Sequence, residues 1–364
     1  MLTTSPDRPA GTAGVPDLID RLRRSGLQGR GGAARPVAAE LDRVRAAGPG
    51  GVVVVNGVEG EPLSRKDATL LTTVPHLVLD GAVAAATTVG APDVVVCAAA
   101  GPGLEAVRRA AGERGGVDGP VHVHVVAAAP GFVAGQESAV VAHLDGFAAR
   151  PRGTGVPLWR SGLAGRPTVV KNVETLARTG LLARHGHQPD TVLLTLATAA
   201  GPRVLEVPAG SALDVVLDRE GVATGAGVLL GGYHGTWTPS DVTVPLTVDA
   251  VRAGVVRPLL AGECPLAVTA VVVGHLAAAS VRQCGPCTFG LPRLHQLTLA
   301  LAAGRLDADG VHELRRTVGL LVDRGACRHP DASARTVASA LTAFPAEVAA
   351  HRRGACLAAR AVAA

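Results

Sequence analysis

Gly51-Val52-Val53-Val54-Val55-Asn56-Gly57-Val58-Glu59-Gly60-Glu61-Pro62 is the stretch on which the fold class of this chain turns. The apolar run from Gly51 to Asn56 reads as a strand, and it empties into a loop holding two carboxylates, an amide and two glycines. Outward from it, strands and helices alternate. A helix is expected over Pro75 to Val89, a strand over Asp93 to Ala98, a helix over Leu104 to Arg114 and a strand over Val121 to Ala127. Strands separated by helical segments predict a parallel or mixed sheet covered by helices.

Sheets of this class place ligands in the loops at the carboxyl ends of their strands. Asn56, Glu59, Gly60 and Glu61 are therefore candidate cofactor contacts, able to hydrogen-bond a ribityl chain or a flavin edge; the competing reading is a solvated turn. Upstream, Gly29-Arg30-Gly31-Gly32 follows one helix-like stretch and precedes another, Ala38 to Val44. Consecutive glycines expose backbone N–H groups and Arg30 adds a fork of donors, a combination suited to phosphate. With 46 glycines in the chain, most of them must simply mark turns.

Composition narrows the class. The 364 residues suffice for two or three domains, and hydrophobic residues make up 48% while aromatics make up only 2%, so the cores are aliphatic. The formal charge of +5 is spread along the chain with no basic run, and stacking aromatics are scarce, which excludes a nucleic-acid surface. Met1 to Gly14 is rich in Thr, Pro and Gly, lacks the pattern of a secretory signal and is expected to be a disordered lead. Apolar stretches such as Leu266 to Ala279 fall short of a membrane span, so a soluble, cytoplasmic protein is expected.

After the α/β half, residues 189–255 carry short β runs at Thr191 to Ala197, Arg203 to Val207 and Gly227 to Leu230, with one helix at Ala212 to Arg219; their size suits a β-grasp module. Residues 256–364 are mainly helical, with helices expected over Leu291 to Ala303, Ala308 to Arg324 and Asp331 to Phe344. Asp331 is placed to cap the last of these, and Pro345 to end it.

Six cysteines without a secretion signal argue for thiols or metal ligands over disulfides. Cys284 and Cys287 bracket a Gly-Pro turn, and two antiparallel helices joined near Arg305 to Asp309 would bring Cys327 back to them. The cations Arg282, Arg324 and Arg328 are expected to lower the thiol pKa values. A tetrahedral zinc site or a cubane cluster needs a fourth ligand, for which His329, and more remotely Cys264 or Cys356, are candidates. Cys97, inside an apolar strand, reads as a buried core thiol.

Together these stretches resemble the flavin-bearing subunit of NADH dehydrogenase (respiratory complex I) and its relatives in NAD-linked hydrogenases and formate dehydrogenases. Ser25 to Ala33 looks like the family's flavin loop, and Glu59-Gly60-Glu61-Pro62 with Lys66-Asp67 looks like its acidic loop. Gly135-Gln136-Glu137-Ser138-Ala139, Ser161-Gly162-Leu163 and Gly165 to Thr175 then follow in the family's order. The resemblance implies a flavin domain over residues 15–188, a β-grasp (SLBB-like) module over 189–255 and a helical iron-sulfur domain over 256–364. It implies hydride transfer from NAD(P)H to FMN and single electrons passing to a 4Fe-4S or 3Fe-4S cluster on Cys284, Cys287 and Cys327. Gly29, Arg30, Gly31, Gly32, Asn56, Glu59, Gly60, Glu61, Gln136, Asn172 and Thr175 would hold the flavin, and Glu137 is the candidate catalytic group. The electrons would leave to a ferredoxin-like or membrane redox subunit, with the chain peripheral on the inner face of the membrane.

Departures from the family bear on function. Val281 stands where the first cluster cysteine is expected. Arg35 and Arg65 stand at positions of adenine-stacking phenylalanines, leaving Trp159 as the nearby aromatic; each lost platform costs on the order of 1 kcal/mol. Glu40 replaces a phosphate-contacting lysine, Val58 an aspartate, Gln136 the first of two glutamates and Lys171 the first of two asparagines. Two alternatives follow: a cluster-bearing relay or assembly paralogue that no longer binds NADH, and a structural zinc protein.

Overall fold

The computed structural model describes residues 7–12, 15, 17–153 and 155–358. The chain divides into two compact units, residues 1–60 with 65–193, and residues 61–64 with 194–364.

The first unit runs α1 (Leu18–Ser25), α2 (Val37–Ala46), β1 (Val52–Gly57), α3 (Lys66–Thr73), α4 (Pro75–Val89), β2 (Asp93–Ala98), α5 (Pro102–Gly112), β3 (His122–Ala127), α6 (Glu137–Leu144), β4 (Thr168–Asn172) and α7 (Val173–His185). Its sheet has the order β3-β2-β1-β4, with every pairing parallel. The valines of β1 are fully buried, as expected of a central strand covered on both faces. Chain order reverses between β1 and β4, and a crevice outside the carboxyl ends of those two strands is the standard ligand position in such a sheet. The strand β4 carries no clear mark in the sequence, because Lys171 and Asn172 interrupt the apolar run that would announce it.

Glycine sets how closely α4 and α7 cross. A Cβ at Gly81 would lie 1.9 Å from the Leu176 carbonyl oxygen, and one at Gly180 would lie 2.3 Å from that of Leu77. This tight packing buries almost the whole of α4. Among the described residues no single helix is long and apolar enough to cross a membrane; the bent pair α3–α4 passes by length and composition only, with a 95° break.

Part of the expected disordered lead lies outside the described residues, but residues 7–12 are anchored, which corrects that expectation. Asp7 accepts hydrogen bonds from the N–H groups of His76 (2.7 Å) and Leu77 (3.1 Å), two otherwise unsatisfied donors in the first turn of α4. Ala10 donates its N–H to Asp80, and the Thr12 hydroxyl donates to the Asp80 carbonyl.

The strand β5 (Thr191–Thr198) starts in the first unit and continues into the second, which holds β6 (Gly201–Pro208), α8 (Leu213–Arg219), β7 (Gly227–Leu230), β8 (Thr236–Pro239), α9 (Val248–Val251) and β9 (Val255–Pro258). These strands form a mixed sheet of order β6-β5-β9-β7-β8, in which β9 runs parallel to β5 and antiparallel to β7. The helices α10 (Pro265–Ala278), α11 (Leu291–Ala302), α12 (Ala308–Leu321), α13 (His329–Ala343) and α14 (Pro345–His351) follow. Their core is aliphatic: Leu266, Val273, Leu291, Leu294, Leu301, Leu314, Leu321, Val337 and Leu341. The spacing of these leucines along α11 is the three- and four-residue period of a helix with one buried face.

One expected cap is corrected. The helix α13 starts at His329, two residues before Asp331, and Asp331 instead accepts the Asp323 N–H (2.9 Å) and pairs with Arg328 (3.0 Å).

Candidate functional site

In the first unit the glycine loop rests on the N-terminus of α7. The Arg30 N–H donates to the Thr175 hydroxyl at 2.9 Å, and a Cβ on Gly31 would meet Asn172 Cβ at 3.3 Å. The loop is closed at its base by the Gly29 N–H donating to the Arg35 carbonyl. The Arg30 guanidinium is short of partners: its Nε is buried without a hydrogen bond. Burial, followed by the repulsion of Arg178, pulls its pKa down to about 10, against the attraction of Glu174 and Asp190. A half-buried cation lacking an acceptor is the arrangement an incoming phosphate would complete.

Behind the loop lies a buried polar network. Lys66 donates to Asp67 (2.7 Å) and Asn172 (3.0 Å) and lies 3.4 Å from Glu174. Asn172 donates to Asp67 and caps α7 by accepting the Glu174 N–H, while Glu174 also pairs with Arg178. Burial pushes the Asp67 carboxyl up to about 6, and Glu59 adds to the shift while Lys66 opposes it. In the sequence Lys66 is only part of a motif. Its role as the network's central cation has no one-dimensional signal, since its partners Asn172 and Glu174 lie far along the chain.

The acidic loop differs from what was expected of it. Asn56 donates to the Gly135 carbonyl and accepts the Val58 N–H, so its amide is already engaged at both ends. Glu59 accepts the N–H groups of Asp67 (3.0 Å) and Ala68 (3.1 Å) and thereby caps α3. Gly60 is required because a Cβ would stand 2.5 Å from the Phe132 carbonyl oxygen. Within the second unit, Glu61 accepts the N–H groups of Leu63 and Tyr233. Gln136 caps α6, accepting from the N–H of Ser138 (2.8 Å) and of Ala139 (3.0 Å).

Three of the departures from the family pattern meet in one ion cluster. Glu40 pairs with both Arg35 (2.7 Å) and Lys171, and Arg35 reaches on to Glu137. The anion at the expected lysine position is thus neutralised by the two cations that replace a phenylalanine and an asparagine. Burial and the nearby Arg35 pull the Lys171 ammonium down to about 7. The cluster opens on a cavity of about 390 Å³ lined by Arg35, Glu40, Glu137, Arg152, Leu158 and Trp159. Glu137, the candidate catalytic group, sits on its wall and is held by Arg35.

In the second unit Cys284 and Cys287 lie within hydrogen-bonding reach of each other, and Cys327 is near enough to act electrostatically on Cys287 and to feel Cys284. Pro286–Gly290 forms one wide π-helical turn that leads into α11, with Cys287 buried within it. A Cβ at Gly290 would lie 2.3 Å from Leu321 Cδ2, so the last turn of α12 packs directly on this turn and delivers the segment that ends in Cys327. Burial pushes the Cys287 thiol up to about 12, with Cys284 and Cys327 adding to it, while a hydrogen bond from Ser280 opposes it. Burial also raises Cys327, again with Cys284 adding, and the backbone N–H of His329 donates to its sulfur.

The expected cationic lowering is therefore corrected for Cys287 and Cys327, whose thiols are raised by burial, while Arg328 is spent on Asp323 and Asp331. Sequence reasoning missed Ser280; only its position seven residues before Cys287 hints at it.

The fourth-ligand candidates go elsewhere. His329 Nε2 lies 2.8 Å from the Leu276 carbonyl and must donate to it, which leaves Nδ1 to accept from His234 Nε2 at 3.0 Å. Burial holds both imidazoles below their ordinary pKa, and both ring nitrogens of His329 already lie within hydrogen-bond distance of a partner. Cys264 and Cys356 group instead with Glu347 and His351. All six cysteines are free thiols, and Cys97 is a core thiol pushed up to about 11 by burial.

Two family models match the chain: the Nuo51 FMN-binding domain over residues 22–179, and the NADH-ubiquinone oxidoreductase-F iron-sulfur binding region over residues 267–351. The F-type subunit of the NADH-quinone oxidoreductase of Streptomyces coelicolor is 29% identical over 381 residues, covering 93% of this chain and 83% of the relative. Its counterpart in Mycobacterium tuberculosis is 27% identical, covering 93% and 85%. The alpha subunit of the NAD-reducing hydrogenase HoxS of Cupriavidus necator is 26% identical, and the chain spans 59% of its length. Among solved structures, an NAD+-reducing nickel-iron hydrogenase in the H2-reduced state superposes with a TM-score of 0.86 at 27% identity, covering 96% of this chain and 66% of that one.

Proposed function

The chain belongs to the family of the flavin-bearing, iron-sulfur subunit of complex I NADH dehydrogenase, and from that premise we propose that it is an electron-transfer oxidoreductase. It takes electrons from NAD(P)H through FMN to an iron-sulfur cluster and passes them to a partner redox subunit, either ferredoxin-like or membrane-bound.

The observation that carries this reading is the neighbourhood of Cys284, Cys287 and Cys327 around the turn before α11, with Cys284 and Cys287 in side-chain contact. Three thiolates are the protein ligands we assign to the cluster, with Ser280 and the His329 N–H as hydrogen-bond donors to sulfur, a means of tuning potential. With Val281 at the fourth position and His329, Cys264 and Cys356 committed elsewhere, the cluster is either 3Fe-4S or a 4Fe-4S with a non-protein ligand. We assign Arg30 and the N–H groups of Gly29 to Gly32 to the flavin phosphate. FMN, when bound, supplies the exchange between two-electron and one-electron chemistry. The cavity beside Trp159 is where we place the nicotinamide nucleotide, with Arg35 and Trp159 as its contacts. The sheet of β5 to β9 with α8 is read as the β-grasp, SLBB-like module.

A second reading has its own support. Asn56, Glu59, Glu61 and Gln136 are all engaged by backbone groups, which favours a cluster-bearing relay that no longer oxidises NADH.

Anaerobic purification followed by iron, acid-labile sulfide and flavin analysis tests the proposal. Iron and sulfide at about three to four per chain with stoichiometric FMN are expected for the enzyme. Iron and sulfide without flavin would select the relay, and zinc on these three cysteines with no sulfide would overturn both.

A further inference from the structure

A second group of metal-ligating side chains stands apart from the three cluster thiols. Cys264, Glu347, His351 and Cys356 each present one ligand atom, and these four atoms lie within 4.8 Å of one another. Cys264 is the residue immediately before α10, while Glu347 and His351 are one turn apart on the same face of α14. Cys356 is brought round by the helix end. The Gly354 N–H bonds the His351 carbonyl, the Ala355 N–H bonds the Ala350 carbonyl, and Gly354 has φ +71°, a left-handed cap that folds the chain back over the last turn of α14.

The separations are those of ligands around one small cation. Cys264 Sγ lies 3.3 Å from His351 Nε2 and 3.6 Å from Glu347 Oε1, and those two atoms are 3.0 Å apart. A tetrahedron with metal–ligand bonds of about 2.0–2.3 Å has edges of roughly 3.3–3.8 Å, so this triangle needs only a few tenths of an ångström of adjustment. The glutamate and histidine are buried and the two cysteines half-buried. The Leu357 N–H donates to Glu347 Oε1 at 3.1 Å, the kind of outer hydrogen bond that orients a ligating carboxylate.

We propose that Cys264, Glu347, His351 and Cys356 form a structural zinc site. Two thiolates exclude hard cations such as magnesium and calcium, and a mixed sulfur, nitrogen and oxygen tetrahedron suits zinc. A closed four-ligand shell leaves no position for substrate. The ion ties the start of α10 to the last turn of α14 and the segment beyond it, bracing the helix whose far end leads into the cluster loop. It also explains why neither Cys264 nor Cys356 supplies the missing cluster ligand.

The test is metal analysis of the anaerobically purified full-length chain and its variants. About one zinc per chain is expected, independent of iron content. Cys356→Ser and His351→Gln each reduce zinc by roughly tenfold or more while leaving iron and sulfide unchanged; Cys287→Ser does the reverse. If those variants misfold, the wild-type chain grown with cobalt serves instead, and thiolate-to-cobalt charge-transfer absorption of a tetrahedral site is expected. A zinc-free chain with Cys264 and Cys356 joined as a disulfide, or with both alkylated in the native state, overturns the proposal. So does iron in place of zinc at this site.

Discussion

The acidic loop of the first unit and the cysteine loop of the second both read as candidate ligand loops, yet the structure uses them differently. Asn56, Glu59 and Gln136 spend their polar atoms on nearby backbone groups, closing a turn and capping two helices. Cys284, Cys287 and Cys327 are bound less to local work: Ser280 and the His329 N–H donate weakly to two of the sulfurs, and neighbouring thiols repel as thiolates unless a cation joins them. Side chains that can satisfy backbone donors are ambiguous when read as ligands. Thiols at matching spacing are far less so.

The largest effect that could break this contrast is at the cysteines. Cys287→Ser is expected to abolish the EPR signal of the reduced cluster and most bound iron; an unchanged signal would refute the ligand assignment. Next comes Arg30, the half-buried cation with an unbonded Nε. Arg30→Ala should weaken FMN binding by about 10- to 100-fold, the worth of one charge-assisted hydrogen bond, measured by flavin fluorescence on titration into the apoprotein.

Glu59 sharpens the comparison from the other side. Glu59→Ala removes the α3 cap and should lower stability by about 1 kcal/mol, or roughly 2–4 °C in Tm, with FMN affinity nearly unchanged. A loss of flavin comparable to that of Arg30→Ala would mean that the loop contacts the cofactor after all.

A further prediction concerns pH dependence. Asp67 has a folded pKa raised to about 6, above its ordinary 3.8, so the folded state holds the extra proton between those values. Its contribution to stability is greatest at the acid end of that window and is lost as pH rises through it. The slope is at most about 1.4 kcal/mol per pH unit. Asp67→Asn should flatten that part of the Tm–pH profile, and an unchanged profile would place the titration elsewhere.

Much of the architecture was legible because it is local. The valines of β1 and the helix Pro75–Val89 announce themselves by composition and punctuation, and the α11–α12 hairpin follows from leucine spacing. The switch point at β4 was not, since Lys171 and Asn172 break its apolar run in order to face Glu40 and Asp67. Nor could sequence show that His329, two residues from Cys327, turns both ring nitrogens to Leu276 and His234. Proximity along the chain suggested a ligand, and helix direction at α13 assigned the side chain elsewhere. Likewise Cys264 and Cys356 were visible as spare thiols, but their partners Glu347 and His351 emerge only when α14 packs beside α10.

The most direct measurement is an anaerobic NADH titration of the purified chain, followed by flavin absorbance and cluster EPR together. Bleaching of the flavin accompanied by a reduced-cluster signal that disappears in Cys287→Ser is the predicted result. A chain that carries iron and sulfide yet leaves NADH unoxidised at saturating concentration, with no flavin bleaching, would contradict it.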